Sequence, residues 1–412
     1  MIIRSIHLKN FRNYRRLDLD VGPSVNIIYG FNAQGKTNII EAINVCSCLS
    51  SHRTPKDRDL ITFKENEYEI KIDLLDPEDN YKTDLSVSYL TEKSEENSSS
   101  APKRVLKQDS MQISKIASYL GICNTVIFAP EDLNLIKGAP SVRRKFLNLI
   151  ISKTSPTYFD LLNKYNRLIG QKNASLKSFR GGPANDDTMD FWDYPLADIS
   201  SEIILYRYRY SLLLNKFSSR HHLDISEEKE NLKISYSTIQ GSIELINAFL
   251  EENALLDAFI SGSAERGIYA RIKGILSEHL YSKFKGMRQS DSEKGITGIG
   301  IHKDDLEITL NDMSMKIYSS QGQQRSAALS LKLSELDIIR DFCRSSPILL
   351  LDDVFSELDA KRRVSLISGM VNAQIFITCT EREYIEKELG TLVDGASLPR
   401  YFHVENGTVT PE

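Results

Sequence analysis

The chain opens with apolar and polar residues in alternation. Ile3, Ile6 and Leu8 precede Leu17, Leu19 and Val21, with Asn10 to Tyr14 between them, which predicts a strand, a turn and a strand. Ser24 to Tyr29 is a short apolar run that stops at Gly30, the pattern of a buried strand. From Thr37 to Leu49 the period changes, and Ile39, Ile40, Ile43 and Cys46 recur at helical spacing. Alternation returns from Glu65 to Leu90, broken at Pro77 to Asn80, and predicts a hairpin. Thr91 to Pro102 is polar and serine-rich and predicts a mobile loop.

The middle of the chain is dominated by helical periods, at Val142 to Ile151, Tyr158 to Ile169, Leu196 to Phe217, Ile243 to Ile260 and Ile268 to Tyr281. Gly181-Gly-Pro183, inside Ser178 to Asp187, predicts a connection between two long helices. No heptad pattern lasts long enough for an extended coiled coil. From about Ile296 strands and helices alternate again. Leu306 to Leu310 reads as a strand, Ser326 to Cys343 as a helix, Ile348 to Leu351 as a buried strand, Glu357 to Val371 as a helix and Ile375 to Thr378 as another buried strand. Asn406-Gly407 marks a hairpin turn. The order predicts an α/β head split in sequence, residues 1–130 and 296–412, around a helical insertion at 131–295.

Three segments carry chemistry. Gly30-Phe31-Asn32-Ala33-Gln34-Gly35-Lys36-Thr37 has the P-loop spacing and lies between a predicted strand and a predicted helix. Glycines let the backbone curl so that successive N–H groups converge on phosphate oxygens, and the helix N-terminus adds its positive dipole end. Lys36 is expected to reach the β- and γ-phosphates of ATP, and the Thr37 hydroxyl to bind Mg²⁺. Ile348 to Asp353 is an apolar strand ending in two acids. Asp352 is the candidate Mg²⁺-side carboxylate, and Asp353 the candidate catalytic residue that orients or deprotonates the attacking water. Ser319-Ser-Gln-Gly-Gln-Gln-Arg325 opens a helix with small residues and offers a second anion site. Phe355-Ser-Glu-Leu-Asp359 and the basic run Lys361-Arg-Arg363 follow the paired acids.

Composition narrows the partners. The 412 residues suffice for two domains, and 41% hydrophobic with 26% charged residues is an ordinary soluble balance. The net charge of -4 means that any DNA contact needs a local basic face. The five cysteines have no paired zinc-ligand spacing, and Cys46 and Cys48 read as buried thiols of a reduced protein. Neither a secretory leader nor a run of about 20 apolar residues is present, so a cytoplasmic protein without a membrane partner is expected.

Taken together, these segments resemble the RecF family of bacterial gap-repair proteins. Further matches are Leu8-Lys-Asn-Phe-Arg-Asn-Tyr14, Gly35-Lys-Thr-Asn-Ile-Ile-Glu-Ala-Ile43, Ser51-His-Arg-Thr54, Phe128-Ala-Pro-Glu-Asp-Leu133 and Gln321-Gly-Gln-Gln-Arg-Ser326, spread over nearly the whole chain. Where the family reads Gly-Pro-His-Arg-Asp-Asp-Leu, this chain has Gly300-Ile-His-Lys-Asp-Asp-Leu306. The resemblance implies an ABC-type P-loop ATPase head related to SMC heads, in which two copies sandwich ATP. Ser320, Gly322 and Gln323 would then meet the γ-phosphate of the opposite subunit, with Asp359 near the seam, in an ATP-dependent homodimer. It also implies DNA binding at single-strand gaps and work with RecO- and RecR-like mediators in recombinase loading. Arg143, Arg144, Lys145, Arg207 and Arg209 are the candidate phosphate contacts. Aspartate at position 353, where transport ATPases commonly use glutamate, predicts a weak ATPase with slow turnover. Two other readings are an ATP-gated scaffold that recruits proteins without touching DNA, and a transporter subunit, which the Ser319 to Gln323 sequence disfavours.

Overall fold

The computed structural model describes residues 1–91, 103–178, 186–343, 346–368, 370, 373–383, 386 and 398–412, with backbone alone at 186–188, 360 and 361. The predicted loop at Thr91 to Pro102 and the connection at Ser178 to Asp187 fall almost wholly outside the described residues. The rest divides into two compact units. One joins Met1–Leu133 to Arg325–Glu412, and the other is Asn134–Gln324.

The first unit holds two six-stranded sheets. In the antiparallel sheet, Ile2–Phe11 pairs with Tyr14–Asp20 and with Glu67–Leu75, and Lys82–Leu90 continues the sheet. Buried apolar residues recur at every second position over most of these strands, including Ile6, Leu8, Ile70, Ile72, Leu85 and Val87. The other sheet carries Val25–Tyr29, Ile375–Cys379, Ile348–Asp352 and Thr125–Phe128 as parallel neighbours. Arg400–Glu405 lies parallel beside Val25–Tyr29 and forms the expected hairpin with Thr408–Pro411. The near-continuous apolar runs of the central strands follow from a parallel sheet covered on both faces. Ile27, Leu350 and Ile377 are each 0% exposed, and burying such a side chain contributes about 2 kcal/mol.

The helix Lys36–Cys48 packs against strands of both sheets. Its apolar positions run all round, with Ile39, Ile40, Ala42, Ile43, Val45 and Cys46 buried, as a helix with two packed faces requires. Asp352 is in register with Thr378, and Cys379 with Tyr29. The carboxyl ends of three strands therefore lie side by side where the 30–37 loop begins, the place where open α/β sheets present their sites.

The second unit contains the helices Pro140–Thr154, Pro156–Ser178, Asp186–Ser226, Ser242–Glu252, Leu256–Ser261 and Arg266–Lys294. The segment expected as one helix from Ile243 to Ile260 is two, because the chain leaves helical geometry at Asn253 to Leu255 and Ala254 has φ 52°. This unit also holds a small sheet. Leu232–Ser237 alternates buried Leu232, Ile234 and Tyr236 with exposed neighbours and pairs with Asp305–Leu310, which pairs with Met313–Ser314. The Leu306 to Leu310 strand thus belongs with the inserted unit, whose second boundary falls at 324/325 rather than 295/296. The Glu357 to Val371 helix is likewise replaced by Val354–Glu357 and Ala360–Ser368.

Candidate nucleotide site

The 30–37 loop is shaped by two glycines that no other residue could replace. Gly30 has φ 142°, and a Cβ there would stand 2.4 Å from the Val404 carbonyl oxygen. Gly35 has φ 115°, and its Cβ would meet Asn13 Nδ2 at 2.4 Å and the Tyr14 hydroxyl at 2.9 Å. The loop is held from outside. Asn13 Nδ2 donates to the Gln34 carbonyl at 3.0 Å, Tyr14 Oη to the Gly35 carbonyl at 3.1 Å, and the Asn406 backbone N–H to Gln34 Oε1 at 2.6 Å. Two hairpin turns, one at each end of the chain, therefore fix the loop. Its rim stays open, with Phe31, Asn32 and Ala33 exposed.

Lys36 is 8% exposed and donates to the carbonyls of Gly30 at 2.7 Å and Phe31 at 2.8 Å. Burial lowers its pKa from the ordinary value, against the pull of nearby Asp353 and Asp352. Thr37 Oγ1 donates to Asp352 Oδ1 at 2.8 Å, joining residues 315 positions apart. Thr378 Oγ1 donates to the same oxygen at 2.8 Å. Burial acts to raise the Asp352 pKa, but the nearby His52 imidazole and the hydrogen bonds from Thr378 and Thr37 outweigh it and hold the carboxyl below its usual range. An ionised carboxylate beside a threonine hydroxyl is an all-oxygen donor set that fits a hydrated Mg²⁺. Asp353 turns the chain with φ 52°, its N–H donating to Thr378 Oγ1 at 2.9 Å, and stands exposed. Partial desolvation, with repulsion from Asp352 added, raises its pKa above the usual carboxylate value.

The Ser320 segment caps the helix Gln321–Phe342. Gln323 N–H donates to Ser320 Oγ at 3.2 Å and the Ser320 N–H to Gln323 Oε1 at 2.8 Å, a reciprocal capping box. Gln323 Nε2 also donates to Glu230 Oε1 at 2.8 Å. Gly322 lies in the first turn of this helix. Asp359 Oδ1 accepts the Arg362 N–H at 3.0 Å at the start of Ala360–Ser368, and its carboxylate pairs with the Arg362 guanidinium. In the basic run, Arg362 Nε donates to Ser326 Oγ at 2.9 Å and Arg363 Nε to the Leu358 carbonyl at 2.8 Å.

Two of the five expected phosphate contacts are corrected by the structure. Arg143 is 6% exposed and grips Asp305 with two parallel bonds of 2.7 and 2.8 Å. Arg207 is 2% exposed and donates to Asp304 Oδ2 at 2.5 Å, the Ile301 carbonyl at 2.7 Å and the Tyr158 hydroxyl at 3.0 Å. Both guanidiniums are spent inside the unit. Arg144 is half-buried and donates to the Asp304 carbonyl at 2.7 Å, Arg209 to the Ile260 carbonyl at 3.0 Å, and Lys145 is exposed. The Gly300 to Leu306 segment is thus the anchor of both buried arginines. With Ile301 1% exposed, the position is filled by apolar packing.

Several residues of the site carry no periodic signal of their own. Asn13, Tyr14 and Thr378 hold the loop and the acid, and their signal is tertiary. Glu41, 0% exposed, takes Arg12 through bonds of 2.8 and 2.7 Å and Ser51 Oγ at 2.5 Å.

The model of the RecF/RecN/SMC N-terminal domain matches residues 2–398. A DNA replication and repair protein RecF of Acetivibrio thermocellus is 36% identical over 386 residues, covering 94% of this chain and 95% of that protein. The protein of the same description from Bacillus cereus is 36% identical over 414 residues, covering 100% and 99%. The chain belongs to the RecF family. A solved structure described as the recombination mediator protein RecF-ATP in the RecFOR pathway matches with TM-score 0.81 and 30% identity, covering 100% of this chain and 97% of that one. An Smc head bound to the C-winged helix domain of ScpA matches with TM-score 0.52 at 14% identity, a likeness of fold alone. The fold is accordingly the ABC-type ATPase head of the family. Among the described residues, no helix is long and apolar enough to cross a membrane.

Proposed function

We propose that this chain is an ATP-gated DNA-binding protein of recombinational repair and replication, working in the RecFOR pathway with RecO- and RecR-like mediators. The Thr37–Asp352 hydrogen bond carries the reading, because it sets the P-loop helix against an ionised carboxylate at a strand end, as Mg²⁺·ATP binding requires. Support comes from relatives named for replication and repair and from a 30%-identical neighbour described with ATP. Lys36 would reach the β- and γ-phosphates, Thr37 and Asp352 would hold Mg²⁺, and Asp353 would orient the attacking water. The exposed rim at Phe31 to Ala33 suits a half-site completed by Ser320, Gly322, Gln323 and Asp359 of a second copy. Hydrolysis would remove the shared γ-phosphate contact and free the dimer, so ATP acts as a timer.

Burial of Arg143 and Arg207 favours a second reading, a scaffold that recruits repair proteins without touching DNA. Light scattering with ATP and Mg²⁺ separates the possibilities. Wild type should double in mass, while Ser320→Arg should bind ATP and stay monomeric. Gapped DNA added in a second series should join the wild-type dimer. A wild-type protomer that bound ATP and never paired would sink the gating scheme, and a dimer that ignored DNA would select the scaffold.

A further inference from the structure

The loop after the P-loop helix places one imidazole beside the metal-side acid. Leu49 ends the helix at φ 56°, its N–H bonded to the Val45 carbonyl at 2.9 Å, and turns the chain back. Asn44 Nδ2 then donates to the Ser50 carbonyl at 2.9 Å and Ser51 Oγ to buried Glu41 at 2.5 Å. Arg53 Nη1 donates to Asn38 Oδ1 at 3.1 Å. Ties on both sides fix His52 against the strand end at Asp352.

The His52 side chain is 9% exposed, and its Nε2 lies 3.7 Å from Asp352 Oδ2. Both ring nitrogens are buried without a hydrogen-bond partner among the described residues. Leaving such atoms unpaired costs about 1–3 kcal/mol each, so an orphaned imidazole needs a reason. The spacing supplies one. At 3.7 Å the pair is too long for a hydrogen bond, yet too close for a bridging water, which needs roughly 4.5 Å or more between the atoms it joins. A shift of several tenths of an ångström closes it, and site hydrogen bonds that are long without substrate commonly tighten when it binds. Asp352 Oδ1 is already held by Thr37 and Thr378.

Resting on the ATP reading above, we propose that His52 is a positioning residue of the metal site. When Mg²⁺·ATP binds, Nε2 donates to Asp352 Oδ2. The carboxylate is then fixed through both oxygens and faces the hydrated ion in one orientation. Carboxylates that serve a metal are oriented by such outer contacts, whose loss typically lowers metal affinity about 10–100-fold.

The test compares wild type with His52→Gln, His52→Asn and His52→Leu by calorimetric titration of ATP with and without Mg²⁺, after thermal melts establish folding. The Gln amide nitrogen reaches to about the place of imidazole Nε2, whereas that of Asn matches Nδ1. Metal-free ATP affinity should be the same in all four chains. The gain in affinity on adding Mg²⁺ should survive in Gln and fall about 10-fold in Asn and Leu. Because chemistry is slow, the KM for Mg²⁺·ATP should rise with the lost affinity in Asn and Leu and stay near the wild-type value in Gln. Equal Mg²⁺ gains in Asn, Gln and wild type would overturn the role of His52 while leaving the ATP site intact. Wild type that binds no ATP with or without Mg²⁺ would overturn both.

Discussion

At the scale of single residues, charge alone misjudged what the arginines do. Arg143 and Arg207 sit on long helices among apolar neighbours, and a basic residue there has two possible destinies. The choice depends on acids 162 and 97 positions away, a distance over which no local period carries information. Removing one member of a buried, hydrogen-bonded pair leaves the other charge stranded, and this costs about 3–5 kcal/mol. Arg207→Met should therefore lower the unfolding free energy measured in urea by that amount, because Asp304 keeps Tyr236 and Thr238 as donors but loses its cation. A variant as stable as wild type in urea would return Arg207 to the list of DNA contacts. Thr37 and Asp352 were the opposite case. Each had a motif of its own, and the motif dictated a meeting that the 2.8 Å bond realises.

At the scale of elements, the parallel strands were legible because burial on both faces leaves an unbroken apolar run. Ser24 to Tyr29, Ile348 to Leu351 and Ile375 to Thr378 were each placed to within a residue or so. Leu232–Ser237 alternates just as plainly, yet it was hidden among helical periods, since a strand needs a partner and its partner lies beyond residue 304. The loop glycines show how neighbouring elements fix local chemistry. Gly30→Ala would push a methyl group onto the Val404 carbonyl at a left-handed φ, so the Val25–Tyr29 and Arg400–Glu405 strands must part or the loop must move. We expect a loss of roughly 2–4 kcal/mol and of ATP binding together. Gly274→Ala in the exposed face of Arg266–Lys294 meets nothing within 4 Å and should add about 0.5–1 kcal/mol by helix propensity. Thermal denaturation of the two variants checks both signs, and a stable, ATP-competent Gly30→Ala chain would refute the packing account.

At the scale of the whole molecule, the net charge of -4 leaves the proposed DNA binding to a local patch, and burial has thinned the proposed contacts to Arg144, Lys145 and Arg209. A dimer presenting three such residues per copy would neutralise about six phosphates. The logarithm of duplex affinity should then fall against the logarithm of salt concentration with a slope near -5. Between 50 and 200 mM salt this means a loss of about a thousandfold. Because a dimer carries every substitution twice, Lys145→Glu should flatten the slope by roughly 2, while base sequence should matter little. Arg207→Met, wherever it remains folded, should leave the slope alone, since a guanidinium 2% exposed touches no phosphate. The same titration without ATP should show a slope of about half, as each protomer then binds singly. Fluorescence anisotropy on gapped duplex measures all of these in one series. A slope near zero with ATP present would mean that the basic face does not exist, and the proposed two-copy sandwich would have to act through proteins alone.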